Sequence, residues 1–147
     1  MKLEGFELTR DFIQLEKEIT NWEEAIIKSS APLLKGGLIE QSYIDAMIGS
    51  VKEYGPYIVI APNIALPHAR PETGSKLVGF SILKLEKPVA FSPEEEHKVL
   101  LLIALSCVEA STHIEMLQAI VTILSDEEKK NAIFNAVTAD EILEVFN

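Results

Sequence analysis

Two stretches, Leu77 to Leu85 and His97 to Leu105, are apolar on both faces over most of their length. A strand of that kind belongs in the interior of a sheet covered on both sides, because either bare face would lie against water. The segments around them carry helical spacing. Strands that alternate with helices point to an α/β layered domain. The chain has 147 residues, with 48% hydrophobic, enough for one domain over 1–147 with a substantial core.

The helices announce themselves by their ends. Asn21 with Glu24 three residues on reads as a helix start, followed by Trp22, Ala25, Ile26 and Leu33 at helical spacing. Pro32 should kink or interrupt that helix, and Gly36-Gly37 should stop it. A second helix is expected from near Ser42, with Tyr43, Met47, Val51 and Tyr54 as its buried stripe and Gly55-Pro56 as its end. Thr112-His-Ile-Glu115 has the form of a capping box, with Thr112 as N-cap. Leu117, Ile120, Val121 and Leu124 would be the buried stripe of that helix. A short polar helix follows from Glu127 to about Val137, and Thr138-x-x-Glu141 caps a last one carrying Ile142, Leu143 and Val145. Phe12 to Leu15 reads as a short edge strand. Lys87-Pro88 should end the first apolar strand, and Ser92 to Glu96 is a solvated acidic loop.

The stretch from Tyr57 to Glu72 carries the chemistry. Tyr57 to Ile60 are β-formers. Pro62-Asn63 makes a turn, and Ile64 to Leu66 resume an extended path. Pro67 and Pro71 keep Leu66 and Arg70 out of the helical region. His68 therefore sits on a stiff, extended piece of backbone, where alternation places Leu66, His68 and Arg70 on one face. Such a histidine is ordinarily only a loop residue. With Arg70 beside it, it is also a candidate phosphate-handling pair. Imidazole offers a neutral nitrogen nucleophile near pH 7, and guanidinium a fork of donors for phosphate oxygens.

His113 has two readings as well. It is in phase with Leu117, Ile120 and Leu124, which suits a histidine at the core edge with one nitrogen satisfied by backbone. It also lies in the first turn of a helix, where unpaired N–H groups favour an anion. His97 reads as a surface histidine and Cys107 as a small buried hydrophobe. Zinc binding by His68, His97, His113 and Cys107 is not expected, since their spacings match no compact ligand motif.

Ile64-Ala-Leu-Pro-His68 resembles the active-site signature of the mannitol–fructose type of enzyme IIA domain in the bacterial sugar phosphotransferase system. The longer run from Gly55 to Glu72 is closer still to the ascorbate-specific branch. By order of elements the resemblance extends from Trp22 to about Val145. It implies a mixed central sheet with helices on both faces. It implies further that His68 is phosphorylated by the phosphocarrier HPr and hands the group to a cysteine of an enzyme IIB, with His113 lying beside His68. Mannitol-type members carry an arginine where this chain has Ser50. The ascorbate branch carries His-x-Arg-Pro-Glu, matched here by residues 68–72, which implies that Arg70 meets the phosphate, with Lys52 as the nearby alternative. Arg70, His113 and the helix start at Thr112 are thus the expected holders of the phosphoryl oxygens. The same His68 would also serve a regulatory module whose phosphorylation state is read by a partner without sugar transport.

The rest of the composition bounds the partners. A formal net charge of −10 argues against nucleic acid and against an anionic membrane surface. No Walker-type loop is present, so the phosphoryl donor is expected to be a protein, and no cofactor or metal is expected. One cysteine precludes an internal disulfide. The acidic, polar N-terminus does not read as a signal peptide, and the cytoplasm is the default expectation. A homodimer is neither demanded nor opposed by any sequence feature.

Overall fold

The most apolar stretch becomes the middle strand of a five-stranded mixed sheet in the computed structural model, which describes residues 1–147. In chain order the elements are β1 (Lys2–Leu3), β2 (Phe6–Glu7), β3 (Ile13–Glu16), α1 (Trp22–Lys35), α2 (Gln41–Tyr54), β4 (Val59–Ala61), β5 (Asn63–Ala65), β6 (Gly79–Ala90), β7 (Lys98–Ser106), α3 (Ala110–Ser125), α4 (Glu127–Asn135) and α5 (Ala139–Phe146). The main sheet runs β3-β6-β7-β5-β4, and β1 and β2 form a separate hairpin. β3 is parallel to β6, and β5 is parallel to β7, while β6–β7 and β4–β5 are antiparallel.

Both faces of the sheet are covered. Along β6 the odd positions meet α1, where the Ser81 hydroxyl donates to the Ser29 carbonyl. The even positions face the other way. Phe80 packs on Phe146 of α5, and the Lys84 ammonium donates to the Ala136 carbonyl at the end of α4. That cation lies where the last carbonyls of a helix are unpaired and its dipole is negative.

α1 keeps its helical path through Pro32, where the sequence suggests a kink or interruption. Proline removes the N–H that the Lys28 carbonyl would accept. Gln14 on β3 supplies the replacement, its Nε2 donating to Lys28 O at 2.7 Å. Asn21 caps α1 by accepting from the Glu24 amide, as its spacing suggests. Asp126 and Thr138 cap α4 and α5 in the same way.

Other boundaries move. α2 begins at Gln41 with Glu40 as its N-cap, and the Ser42 hydroxyl donates outward to Thr73 O instead of capping. Tyr43, Ile44, Met47 and Val51 are its buried residues; Tyr54 is 72% exposed and leaves the expected stripe. β6 does not stop at Lys87-Pro88. It shifts register between Lys84 and Val89 and resumes pairing with β7, so Pro88 sits within an irregularity that asks for no ladder hydrogen bond. In α3 the buried positions are Met116, Ile120, Ile123 and Leu124, and Val121 is exposed. The polar helix ends at Asn135, short of Val137. The edge strand expected at Phe12–Leu15 is present as β3.

If the Gln14 amide replaces the hydrogen bond that Pro32 removes, Gln14→Ala should cost about 1 kcal/mol. In a Pro32→Ala background, where residue 32 regains its N–H, the same change should cost markedly less. Urea unfolding of the four variants measures the difference; equal costs in both backgrounds would show that Gln14 does not play this part.

Candidate functional site

Parallel pairing of β5 with β7 brings their carboxyl ends to the same edge of the sheet. Such an edge is where open α/β sheets gather ligand-handling groups. His68 follows β5; Cys107 and the start of α3 follow β7. A cleft of about 630 Å³ opens there. Its walls include His68, Arg70, Tyr57, Cys107, Glu109 and His113.

The segment around His68 is pinned at successive residues. The Leu66 amide donates to Ile58 O at 2.8 Å, and the Leu105 amide donates to Pro67 O at 2.9 Å. The Tyr57 hydroxyl donates to His68 O at 2.8 Å. The Ala69 amide donates to the Tyr43 hydroxyl at 3.2 Å, and that hydroxyl donates to Leu105 O at 2.6 Å. Burial pushes the Tyr43 phenol up to about 12, so it is a neutral donor throughout the physiological range. Burial also pushes the Tyr57 phenol up. Beyond Arg70 a short turn closes on Gly74, whose φ of +142° suits glycine. A side chain at Gly74 would in any case collide with Ser42 Oγ at 2.6 Å.

The ring of His68 is held as well as its backbone. Nδ1 lies 2.6 Å from Leu66 O. A carbonyl only accepts, so Nδ1 carries the proton and Nε2 keeps its lone pair. The Tyr57 ring meets the imidazole edge-on, with centroids 5.5 Å apart.

His113 lines the same cleft from the first turn of α3, half-buried, with Nδ1 3.0 Å from Cys107 Sγ. Burial first, and then the nearby His68, push the His113 imidazole below its usual pKa. Burial pushes the Cys107 thiol up. Both shifts favour the uncharged pair.

Several expected members fall elsewhere. Thr112 is not the N-cap of α3. The helix starts at Ala110 with Glu109 as N-cap, and the Thr112 hydroxyl donates back to Glu109 O at 3.0 Å. Thr112 does not line the cleft. The His113 amide is the first of α3 to find a helical acceptor, at Glu109 O, which leaves the three amides before it open. Arg70 lines the cleft, is exposed and makes no ion pair. Lys52 turns away to Glu23, with 3.5 Å between the charged groups, and Ser50 lines the cleft where the mannitol-type pattern has arginine. Leu66 and Ile64, considered above as one face with His68 and as part of its signature, are both buried. His97 is remote, bonded to Ser92 and Glu94. Glu94, Glu96 and His97 form the only trio of His, Cys, Asp and Glu ligand atoms within 4.8 Å of one another.

Tyr57 and Cys107 were not read from the sequence as site residues. A hairpin turning at Pro62-Asn63 pairs Val59 with Ala65 and so carries Tyr57 to the level of His68. The turn was legible in the sequence; the register, which shifts between Val59 and Ala61, was not. The Cys107–His113 contact had no comparable signal.

The family model for "Phosphoenolpyruvate-dependent sugar phosphotransferase system, EIIA 2" matches residues 7–147. The ascorbate-specific PTS system EIIA component of Salmonella choleraesuis is 36% identical over the whole of this chain and 96% of its own length. The solution structure of the mannitol-specific cryptic phosphotransferase enzyme IIA CmtB from Escherichia coli superposes with a TM-score of 0.87 at 33% identity, covering 97% of this chain and 95% of that one. Enzyme IIAMTL, in its complex with phosphorylated enzyme IIBMTL from Escherichia coli, gives 0.81 at 26% identity over 95% and 96%. No helix is long and apolar enough to cross a membrane.

Two outcomes are expected from this geometry. Tyr43→Phe strips a buried carbonyl and a part-buried amide of their partner at once and should cost about 2 kcal/mol in a denaturant titration; a loss near zero would mean that the pinning is incidental. Because His113 has a lowered folded pKa, the unfolded chain binds more protons just below the unfolded value of about 6.5. Its contribution to stability is complete above that pH and falls as pH drops towards the folded value. The difference in stability between the parent and His113→Gln should therefore shift across this window; a constant difference would contradict the lowered pKa.

Proposed function

This chain belongs to the phosphoenolpyruvate-dependent sugar phosphotransferase system EIIA 2 family, and on that premise we propose that His68 is its phosphoryl relay, loaded from the phosphohistidine of HPr and emptied onto a cysteine of an enzyme IIB. As a family member the chain is a phosphotransferase component of a sugar phosphotransferase system. Residues 1–147 act in this reading as one domain, consistent with a single cluster of 39 buried core residues.

The observation that carries the assignment is the 2.6 Å contact from His68 Nδ1 to Leu66 O. It leaves Nε2 as the basic nitrogen. In the first step the Nε2 lone pair attacks phosphorus and an Nε2–P bond forms. The donor's N–P bond breaks, and its electron pair returns to the donor imidazole. In the second step a thiolate of enzyme IIB forms the S–P bond and the Nε2–P electron pair returns to His68. Nδ1 keeps its proton throughout. Leu66 O stabilises the positive charge that the imidazole acquires while phosphorylated. Such transfer needs little covalent work from the protein, chiefly alignment and stabilisation of spread negative charge. Arg70, the His113 ring and the open amides at the start of α3 supply donors for it. The Thr112 hydroxyl is not among them.

The cleft rim carries exposed apolar surface at Tyr54, Tyr57 and Val108. A modest patch of this kind suits partners that must leave quickly. Similarity to the ascorbate-specific components supports ascorbate or a related carbohydrate as the cargo, and the mannitol relative seen with its enzyme IIB supports a partner of that class.

The test is incubation with enzyme I, HPr and labelled phosphoenolpyruvate, followed by mapping of the acid-labile label. The label should sit on His68 Nε2, and His68→Ala should take none while keeping its fold. Label on another residue would refute the assignment. Arg70→Ala should slow loading by about 10- to 100-fold; an unchanged rate would remove Arg70 from the site. Onward transfer to a purified enzyme IIB should discharge the chain. Normal loading with no discharge onto any enzyme IIB would instead favour a regulatory module.

A further inference from the structure

We propose that Cys107 is a positioning residue for phosphoryl transfer: its thiol donates to His113 Nδ1 and so holds His113 as the tautomer whose Nε2–H faces the cleft beside His68. This rests on the reading of His68 as phosphoryl acceptor and adds a role for a residue outside it.

The contact is 3.0 Å between Cys107 Sγ and His113 Nδ1, short for a pair involving sulfur. Two neutral arrangements compete. In one the imidazole N–H donates to sulfur; in the other the thiol S–H donates to a bare Nδ1. Sulfur is weak both as donor and as acceptor; the second arrangement is preferred because it places the shared proton against the more basic atom of the pair, the bare imidazole nitrogen. A thiolate–imidazolium pair is opposed from both sides, since burial raises the thiol pKa and lowers that of the imidazole. The thiol is thus kept as a proton donor and is poorly suited to nucleophilic or redox work.

The consequence appears across the ring. With Nδ1 occupied as an acceptor, the single proton of neutral His113 is on Nε2. His68, His113 and Cys107 all line the cleft, with Cys107 against His113 Nδ1. A proton on Nε2 is available to a phosphoryl oxygen on His68; a lone pair there would repel one. His68 needs the opposite state, a bare Nε2, and obtains it from the opposite kind of partner, a carbonyl at Nδ1. An acceptor behind one histidine and a donor behind the other set the two rings to complementary roles. The other charged groups lining the cleft are Arg70 and Glu109, and neither is hydrogen-bonded to His113 through its side chain.

The full-length chain labelled with 15N-histidine reports the tautomer directly. At about pH 7.5, above the usual imidazole pKa, the parent should show His113 protonated on Nε2 and bare on Nδ1. Cys107→Ser keeps a hydroxyl donor and should preserve that pattern, while Cys107→Ala should lose it. In single-turnover loading from phospho-HPr, Cys107→Ala should be slower by about two- to tenfold, the value of one hydrogen bond. Cys107→Ser should recover most of that loss. In a His113→Ala background, Cys107→Ala should have no further effect. A His113 proton on Nδ1 in the parent overturns the proposal, as does equal slowing by both cysteine variants or slowing that persists without His113. If the parent loads on His68 and Cys107→Ala matches it, only this proposal fails. If the parent never loads on His68, the phosphoryl reading fails and this one with it.

Discussion

The site depends on one parallel strand pair. β5 and β7 run side by side in the same direction, so the residues that leave their carboxyl ends must emerge together. The Leu105 amide then reaches back to Pro67 O and ties the residue before His68 to the end of the central strand. β7 is itself held from both sides, between β6 and β5, and is almost wholly buried from Val99 onward. A strand gripped in this way cannot shift without flipping its apolar side chains towards water. His68 is therefore fixed by reference to the buried central strand of the sheet.

Hydrogen-bond accounting explains the features that look irregular. Pro32 remains inside α1 because Gln14 takes the carbonyl it leaves unpaired. Tyr43 is a buried phenol because its single hydroxyl joins Ala69 to Leu105. Lys84 is a buried cation because the end of α4 offers it a carbonyl. In each case a polar group is kept out of water by a partner distant in the chain, which is the condition for burying it cheaply. Pro88 follows the same logic in reverse, lying where the ladder has lapsed.

The site's chemistry is mostly arranged by acceptors and donors, and strong fields are few. Arg70 is the one cationic side chain in the cleft wall, set in a chain of net charge −10. A phosphoryl group on His68 would meet directed N–H donors more than concentrated positive charge. That suits the relay role proposed for His68, which has to release what it accepts. Tyr57 contributes on two counts, gripping the His68 carbonyl and flanking its ring.

Much of this was readable from the chain alone, because it rests on local physics. Prolines at 67 and 71 make His68 stiff, asparagine and threonine cap helices three residues ahead, Asn63 takes the turn with a φ of 70°, and two-sided apolar runs demand the sheet interior. Thr112 misled because the capping-box pattern fits its spacing, while the helix starts earlier, at the point where the chain turns out of β7. The family resemblance favoured Arg70 over Lys52, but the physical difference between them is visible only in the fold, where Lys52 has a carboxylate neighbour on another helix and Arg70 has none. The tautomer of His68 and the partner of His113 were decided only in three dimensions. Both are set by single contacts, His68 Nδ1 to Leu66 O and Cys107 Sγ to His113 Nδ1, which depend on how each ring is turned and not on sequence spacing alone.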